Sequence, residues 1–396
     1  MEDGKWRSYL VVYVFVFCLA GVMAVLLISP KEAVSGAERR RLASKPSLTW
    51  ENVLDKSFME DTETYLLDHF PFRDGLRRIK ALFTYDVLQQ KENNAIYVAG
   101  GHASKLEYPL NEASIKRLAD KMKALRQQYF PKQAVWYAVV PDKNYFLAEK
   151  NGYPSMDYGR MVRLLSQEFA AESDFCYIDL MSGLTIDDYY RTDTHWRQER
   201  ILSVAHHIAE AMGTGSAMIF SEESRADDTA HQIADFYGVY YGQAALPMEP
   251  DTIVYLTNEV TDAAQVWSLE ENLLGGADAG KAVMPGQDGA VQKPVYQPEK
   301  LADPLSLDKY DVFVGGASSL QVISSPGSLT DRRLIVFRDS YMSSLAPLLL
   351  GVYREITLID LRYIDSKRIG EYVDFADADI LFLYNTTIVN HAEMLK

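Results

Sequence analysis

No charged residue occurs between Ser8 and Pro30, and the centre of that stretch, Leu10-Val-Val-Tyr-Val-Phe-Val-Phe-Cys-Leu-Ala-Gly-Val-Met-Ala-Val-Leu-Leu-Ile28, is apolar without a break. About 20 such residues span the hydrocarbon core of a bilayer as a helix. A cleaved signal peptide usually carries only about 7–15 apolar residues. The pattern therefore predicts an uncleaved transmembrane signal anchor over residues 9–29, after a short tail at 1–8. The flanking charge bears on orientation. Lys5 and Arg7 precede the span, whereas Lys31, Arg39, Arg40, Arg41 and Lys45 follow it. The positive-inside rule alone would place the bulk of the chain in the cytoplasm.

Residues 30–90 read as a linker followed by a helical segment. Up to residue 57 the chain is polar and carries Pro46, an extended connection. From there Phe58, Tyr65, Leu66, Phe70, Leu76, Ile79, Leu82, Phe83 and Val87 recur at helical spacing, interrupted at Phe70-Pro71. Beyond residue 91 strand-like and helix-like runs alternate. Buried strands are predicted at 134–140, 175–180, 334–337, 356–361 and 379–384. Helices are predicted at 112–129, 158–172, 199–212 and about 342–350, with Gly213 as a C-terminal cap. This alternation predicts one α/β domain over 91–396 with a mostly parallel sheet covered on both faces. Residues 214–330, richer in Gly, Ala, Asp and Pro, read as a large insertion, and 277–295, without any period, as an exposed excursion.

Composition narrows the function classes. The 396 residues amount to two or three ordinary domains, or one large domain with an insertion. Hydrophobic residues at 48% and charged ones at 24% describe a folded protein. Asp and Glu number 55 against 40 Lys and Arg, a net charge of -15, so no basic face for nucleic acid is expected. Of the two cysteines, Cys18 falls in the predicted span, which leaves Cys176 without a disulfide partner and no cysteine metal site.

Phosphate-loop, Rossmann, HExxH and GxSxG patterns are all missing from the sequence. Two segments carry chemistry instead. In Tyr189-Tyr-Arg-Thr-Asp-Thr-His-Trp196, Asp193 and His195 are two apart and leave the same face of an extended segment. A carboxylate there can hold one imidazole nitrogen protonated and free the other as a general base. In Leu334-Ile-Val-Phe-Arg-Asp-Ser-Tyr-Met342, Ser340 follows a strand and opens a helix. That places its hydroxyl at the carboxyl end of a strand, near N–H groups that can stabilise an oxyanion. Nucleophile, base and orienting acid would then be Ser340, His195 and Asp193. Other readings stay open: Ser340 as a helix cap, the DxH pair as a surface pair, or as ligands in a metal-dependent hydrolase. Trp196 reads as packing rather than sugar stacking.

At Asp193-Thr-His-Trp196 the sequence resembles the DHHW-motif family of bacterial envelope proteins, relatives of the periplasmic alginate O-acetylation proteins within the SGNH hydrolase group. Further stretches carry the same resemblance: Glu38-Arg-Arg-Arg-Leu-Ala-Ser-Lys-Pro46, Asp68-His-Phe-Pro-Phe-Arg73, Val140-Pro-Asp-Lys143, Phe236-Tyr-Gly-Val-Tyr-Tyr241, Asp308-Lys-Tyr310 with Gly315-Gly316, and Arg338-Asp-Ser-Tyr341 with Asp360-Leu-Arg-Tyr363. Arg338 stands where SGNH enzymes have Gly.

The resemblance implies an SGNH-hydrolase-like three-layer sandwich, with Asp193 orienting His195, His195 as base and Ser340 as nucleophile. Tyr190, Trp196, Tyr341 and Asn385 would serve substrate or oxyanion. The implied activity is acyl transfer, chiefly acetyl, as transferase or esterase on hydroxyls of a cell-envelope or exported polysaccharide. It needs no cofactor and no metal. The implied partner is a membrane-bound O-acyltransferase, and the soluble domain would lie outside the cytoplasmic membrane. The alternative is a non-catalytic carbohydrate-binding or scaffold component of a polysaccharide modification or export complex.

Overall fold

The computed structural model describes residues 2–214, 228–274, 281–302 and 306–396. Positions 277–280 of the predicted excursion, and 215–227 and 303–305 of the predicted insertion, lie outside the described residues. The chain divides into two compact units, Met1–Asn94 with Tyr241–Pro247, and Ala95–Tyr240 with Met248–Lys396.

The first unit opens with helix α1, Glu2–Ile28. Within it, Trp6–Ile28 is long and apolar enough to cross a membrane by length and composition. The segment predicted as an extended linker contains a short helix, α2 (Trp50–Leu54), because the Thr49 hydroxyl accepts the Asn52 N–H as an N-cap. Helices α3 (Ser57–Asp68) and α4 (Arg73–Leu82) follow, separated at Phe70-Pro71, and a π-turn at Phe83–Val87 continues α4. Pro71 cannot donate the next helical hydrogen bond, which separates the two helices. Two ion-pair clasps hold the unit. The Arg40 guanidinium grips the Asp68 carboxylate, and Arg73 reaches Glu38 at 2.5 and 3.1 Å. Arg40 holds the Asp68 carboxyl down at about 2. The stretches at 38–46 and 68–73 thus meet each other.

The second unit is built on one eight-stranded sheet. In chain order its strands are β1 (Val135–Val140), β2 (Phe175–Ile178), β3 (Gln265–Ser268), β4 (Gln292–Pro294), β5 (Leu320–Ser324), β6 (Arg333–Arg338), β7 (Glu355–Ile359) and β8 (Ala378–Asn385). The spatial order is β4-β3-β5-β7-β6-β8-β1-β2. β7, β6, β8, β1 and β2 run parallel, as the alternating pattern predicts. β5, β3 and β4 are added antiparallel, so the sheet is mixed. These three strands come from residues 265–324, inside the predicted insertion. They are short, and Gln292–Pro294 at the edge has no buried residue, so no alternation marks it.

The parallel strands bury both faces, which is why they read as unbroken apolar runs. Ile335, Phe337, Ile380 and Phe382 pack under helices α5 (Glu112–Tyr129) and α6 (Tyr158–Glu168). Leu334, Val336, Leu381 and Leu383 face the other way, beneath α7 (Leu202–Ala211). The result is a mixed α/β fold around a large central sheet. Among the described residues of this unit, two antiparallel strand pairs lie outside it. Ile96–Ala99 pairs with His102–Lys105 across Gly100-Gly101, both at positive φ as such a tight turn requires. Thr229–Phe236 pairs with Asp251–Thr257.

Candidate active site

Strand β6 ends at Arg338, and the chain turns at Asp339-Ser340 before the short helix Met342–Leu345. The buried Asp339 carboxylate shapes this turn. It accepts the Tyr341 N–H at 3.0 Å and, from the end of β8, the Asn385 N–H at 2.6 Å. Burial pushes this carboxyl up, opposed by Arg362 and the two N–H donors. Ser340 is left half-buried at the carboxyl end of the sheet.

The loop that carries Asp193 and His195 is closed by a bridge between Tyr189 and Trp196. It is held from three sides. Lys143 is fully buried and its Nζ donates to the carbonyls of Tyr190, Arg191 and Asp193 at 2.7, 2.9 and 2.9 Å. Three acceptors use all three protons of an ammonium. Burial draws this ammonium down to about 7, and Asp193 and Asp251 hold it up. The Asp251 carboxylate accepts the N–H groups of Arg191 and Thr192 at 2.9 and 2.8 Å. On the third side the Val239 N–H donates to Asp193 Oδ2 at 2.9 Å. Only glycine fits at 238, since a Cβ there would lie 2.2 Å from Asp193 Cβ.

These restraints align one hydrogen-bonded chain. Asp193 Oδ1 lies 2.6 Å from His195 Nδ1, and His195 Nε2 lies 2.7 Å from Ser340 Oγ. With the Nδ1 tautomer, the ring directs its proton at the carboxylate and its Nε2 lone pair at the serine hydroxyl. Such an arrangement can take a proton from Ser340 as its oxygen attacks an electrophile. Tyr310 stacks on the imidazole, centroids 3.9 Å apart.

The other sequence candidates take different places. Tyr190 and Trp196 are completely buried, and Tyr341 is nearly so. Trp196 Nε1 donates to Tyr341 O and Ser344 Oγ, both at 3.0 Å, and the Tyr341 hydroxyl donates to Thr194 O at 2.6 Å. These side chains lock the His195 loop to the Ser340 turn. The N–H groups of Tyr341 and Asn385 are taken by Asp339, and Asn385 Oδ1 caps the following helix. Arg338 is buried, with its guanidinium on Gln321 Oε1 and Ser343 Oγ.

Sequence reasoning assigned no role to Lys143, Gly238, Tyr310 or Asp251. The first three lie in stretches that carry the family resemblance, which was the available signal. Asp251 had none.

No protein-family model matches the sequence, and no curated protein matches it. Solved structures do. A DHHW family protein from Eubacterium siraeum superposes with a TM-score of 0.55 at 19% identity, over 76% of this chain and 95% of that one. Bacillus cereus PatB1, carrying a sulfonyl adduct, gives 0.54 at 17% identity, over 74% and 95%. The O-acetyltransferase domain of Pseudomonas putida AlgJ gives 0.42 at 12%, over 75% and 92%. The fold is thus similar to that of a DHHW family protein, in line with the resemblance carried by the motifs.

Proposed function

We propose that this chain is a membrane-anchored, serine-dependent O-acyl transferase or esterase, with an SGNH-like α/β domain that acts on hydroxyls of a cell-envelope or exported polysaccharide. The observation that carries this reading is the unbroken chain from Asp193 through His195 to Ser340. Ser340 Oγ attacks the carbonyl carbon of an acyl donor while its proton passes to His195 Nε2. The tetrahedral oxyanion collapses, and the leaving oxygen takes the proton back from His195. A sugar hydroxyl, deprotonated by the same nitrogen, then attacks the acyl-serine and releases Ser340. Asp193 keeps Nδ1 protonated throughout. The acyl group is acetyl by family resemblance, with a membrane-bound O-acyltransferase as supplier.

The test is turnover of a chromogenic acetyl ester by the full chain in detergent, together with labelling by a sulfonyl fluoride, which sulfonylates an activated serine oxygen and releases fluoride. Both should be lost in Ser340→Ala. Wild-type turnover equal to that of Ser340→Ala would remove the serine mechanism and favour the carbohydrate-binding reading. A chelator that stops the reaction while Ser340→Ala does not would favour the metal hydrolase. The exposed Cys176 reports topology. An impermeant maleimide should label it in intact cells, and labelling only after permeabilisation would put the domain in the cytoplasm.

A further inference from the structure

Helix α4 is amphipathic in the reverse sense. Its polar side holds it to the first unit: Arg77 lies 3.2 Å from Glu38, beside the Arg73 pair, and Lys80 Nζ donates to Asn93 Oδ1 at 2.8 Å. Phe72, Leu76, Ile79, Phe83 and Val87 are three or four residues apart and form one stripe along α4 and its π-turn. All five are exposed, from 47% at Leu76 to 83% at Phe72. On α2, Trp50 and Leu54 are exposed by 84% and 79%. A surface helix ordinarily turns its apolar stripe inward, and an apolar surface of this extent marks a binding face.

We propose that the stripe lies in the interfacial layer of the membrane that α1 enters, so that 72–87 form a lipid-docked helix. The proposal rests on reading α1 as a membrane span. Position identifies the occupant. Ser29 and Pro30, which follow the apolar span, line the same cavity of about 310 Å³ as Phe70, Pro71, Phe72 and Gly75, which open α4. Lys31 reinforces this junction: its Nζ bonds back to Leu26 O and sits 6.0 Å from the Tyr65 ring centroid. The stripe therefore begins where the span leaves the hydrocarbon. An interfacial helix buries its apolar face about 5–10 Å into the boundary between headgroups and acyl chains.

The test uses the full chain with Cys18→Ser and Cys176→Ser, and a single cysteine at Ile79→Cys, at Phe83→Cys, or at Asp74→Cys off the stripe. Each is labelled with an environment-sensitive fluorophore and reconstituted into phosphatidylethanolamine–phosphatidylglycerol vesicles. Some of the lipid carries a nitroxide near the top of its acyl chain. Blue-shifted, quenched emission is expected at positions 79 and 83 and not at 74. Flotation separates the two readings. A chain that floats with the vesicles but shows no quenching at 79 and 83 keeps its span and overturns the docked helix. A chain that does not float overturns both. Disulfide pairing between Ile79→Cys chains, with 79 shielded from the nitroxide, would assign the stripe to a second copy and overturn the lipid assignment.

Discussion

Tyr310 lies flat on the His195 imidazole, with ring centroids 3.9 Å apart and planes inclined by 6°. Its hydroxyl donates to Ser344 Oγ at 2.8 Å, so the ring that stacks on His195 is positioned from the helix just beyond Ser340. Burial holds this phenol well above its ordinary range, which keeps it a neutral donor. Tyr310→Phe keeps the stack and loses one buried hydrogen bond, an expected cost of about 1 kcal/mol of stability with turnover near wild type. Tyr310→Leu frees the imidazole, and turnover should fall about 10–100-fold, the scale of a small misplacement of a reacting group. Ester kinetics beside urea unfolding separate the two. Equal loss of turnover in both variants would show that the hydroxyl, not the stack, matters.

Gly238→Ala tests the seat of Asp193. The new methyl has no room beside the Asp193 backbone and Cβ. Overpacking of this kind costs about 1–3 kcal/mol. The larger consequence is expected in the site, where the Val239 N–H and the Asp193 carboxylate must part. The rate of Ser340 sulfonylation should drop by about two orders of magnitude. An unchanged rate would mean that Asp193 does not govern the base.

Lys143→Met removes the donor shared by three carbonyls of the His195 loop. Each buried carbonyl left without a partner costs about 1–3 kcal/mol. The Arg191 carbonyl keeps the Ala103 N–H at 2.8 Å, so the loss expected in urea unfolding is that of the Tyr190 and Asp193 carbonyls, about 2 kcal/mol or more. Lys143→Arg should not restore it, because a planar guanidinium cannot point three donors as an ammonium does. A loss below about 1 kcal/mol would sink the anchoring role, being less than a single such carbonyl.

Two buried groups beside that loop oppose each other in pH dependence. Burial, with Lys143 nearby, pulls His102 from its ordinary 6.5 down to about 4. The unfolded chain then binds the proton first, so this group removes stability as pH falls from 6.5 towards 4. Burial pushes the Asp142 carboxyl from 3.8 up to about 6. Here the folded chain binds the proton first, and the contribution is full below 3.8 and lost as pH rises through 6. Melting temperatures taken across pH 4–6.5 should fall less steeply on acidification in His102→Gln than in wild type. In Asp142→Asn they should fall more steeply. Parallel curves for all three proteins would refute both assignments.

The parallel half of the sheet was legible because strands buried on two faces leave continuous apolar runs, as in Leu334-Ile-Val-Phe337. The antiparallel half was not. Strand β4 has no buried side chain, and β3 pairs on both edges through only three or four residues, so neither imposes a period. The site divides in the same way. Asp193 and His195 could be paired from their spacing, and Ser340 from the strand and helix on either side. Tyr190 and Tyr341 were legible as residues but not as packing, since sequence does not tell an aromatic that faces a substrate from one that seals two loops.

What the sequence determined by itself are properties local to the chain. The uncharged span, the helical periods of α5 and α6, the break at Pro71 and the two-residue offset of Asp193 and His195 each follow from neighbouring side chains. Tertiary structure alone decided the rest. His195 meets Ser340 145 residues along the chain, and Asp193 is seated by an N–H 46 residues away. Lys143 reaches its carbonyls across 47 to 50 residues. Such partners are chosen by which surfaces the packed sheet brings together, and no periodicity along the chain encodes that choice. The outward stripe of α4 shows the same limit from the other side. Its spacing was plain in the sequence, but only the fold revealed that its polar face is the one turned inward.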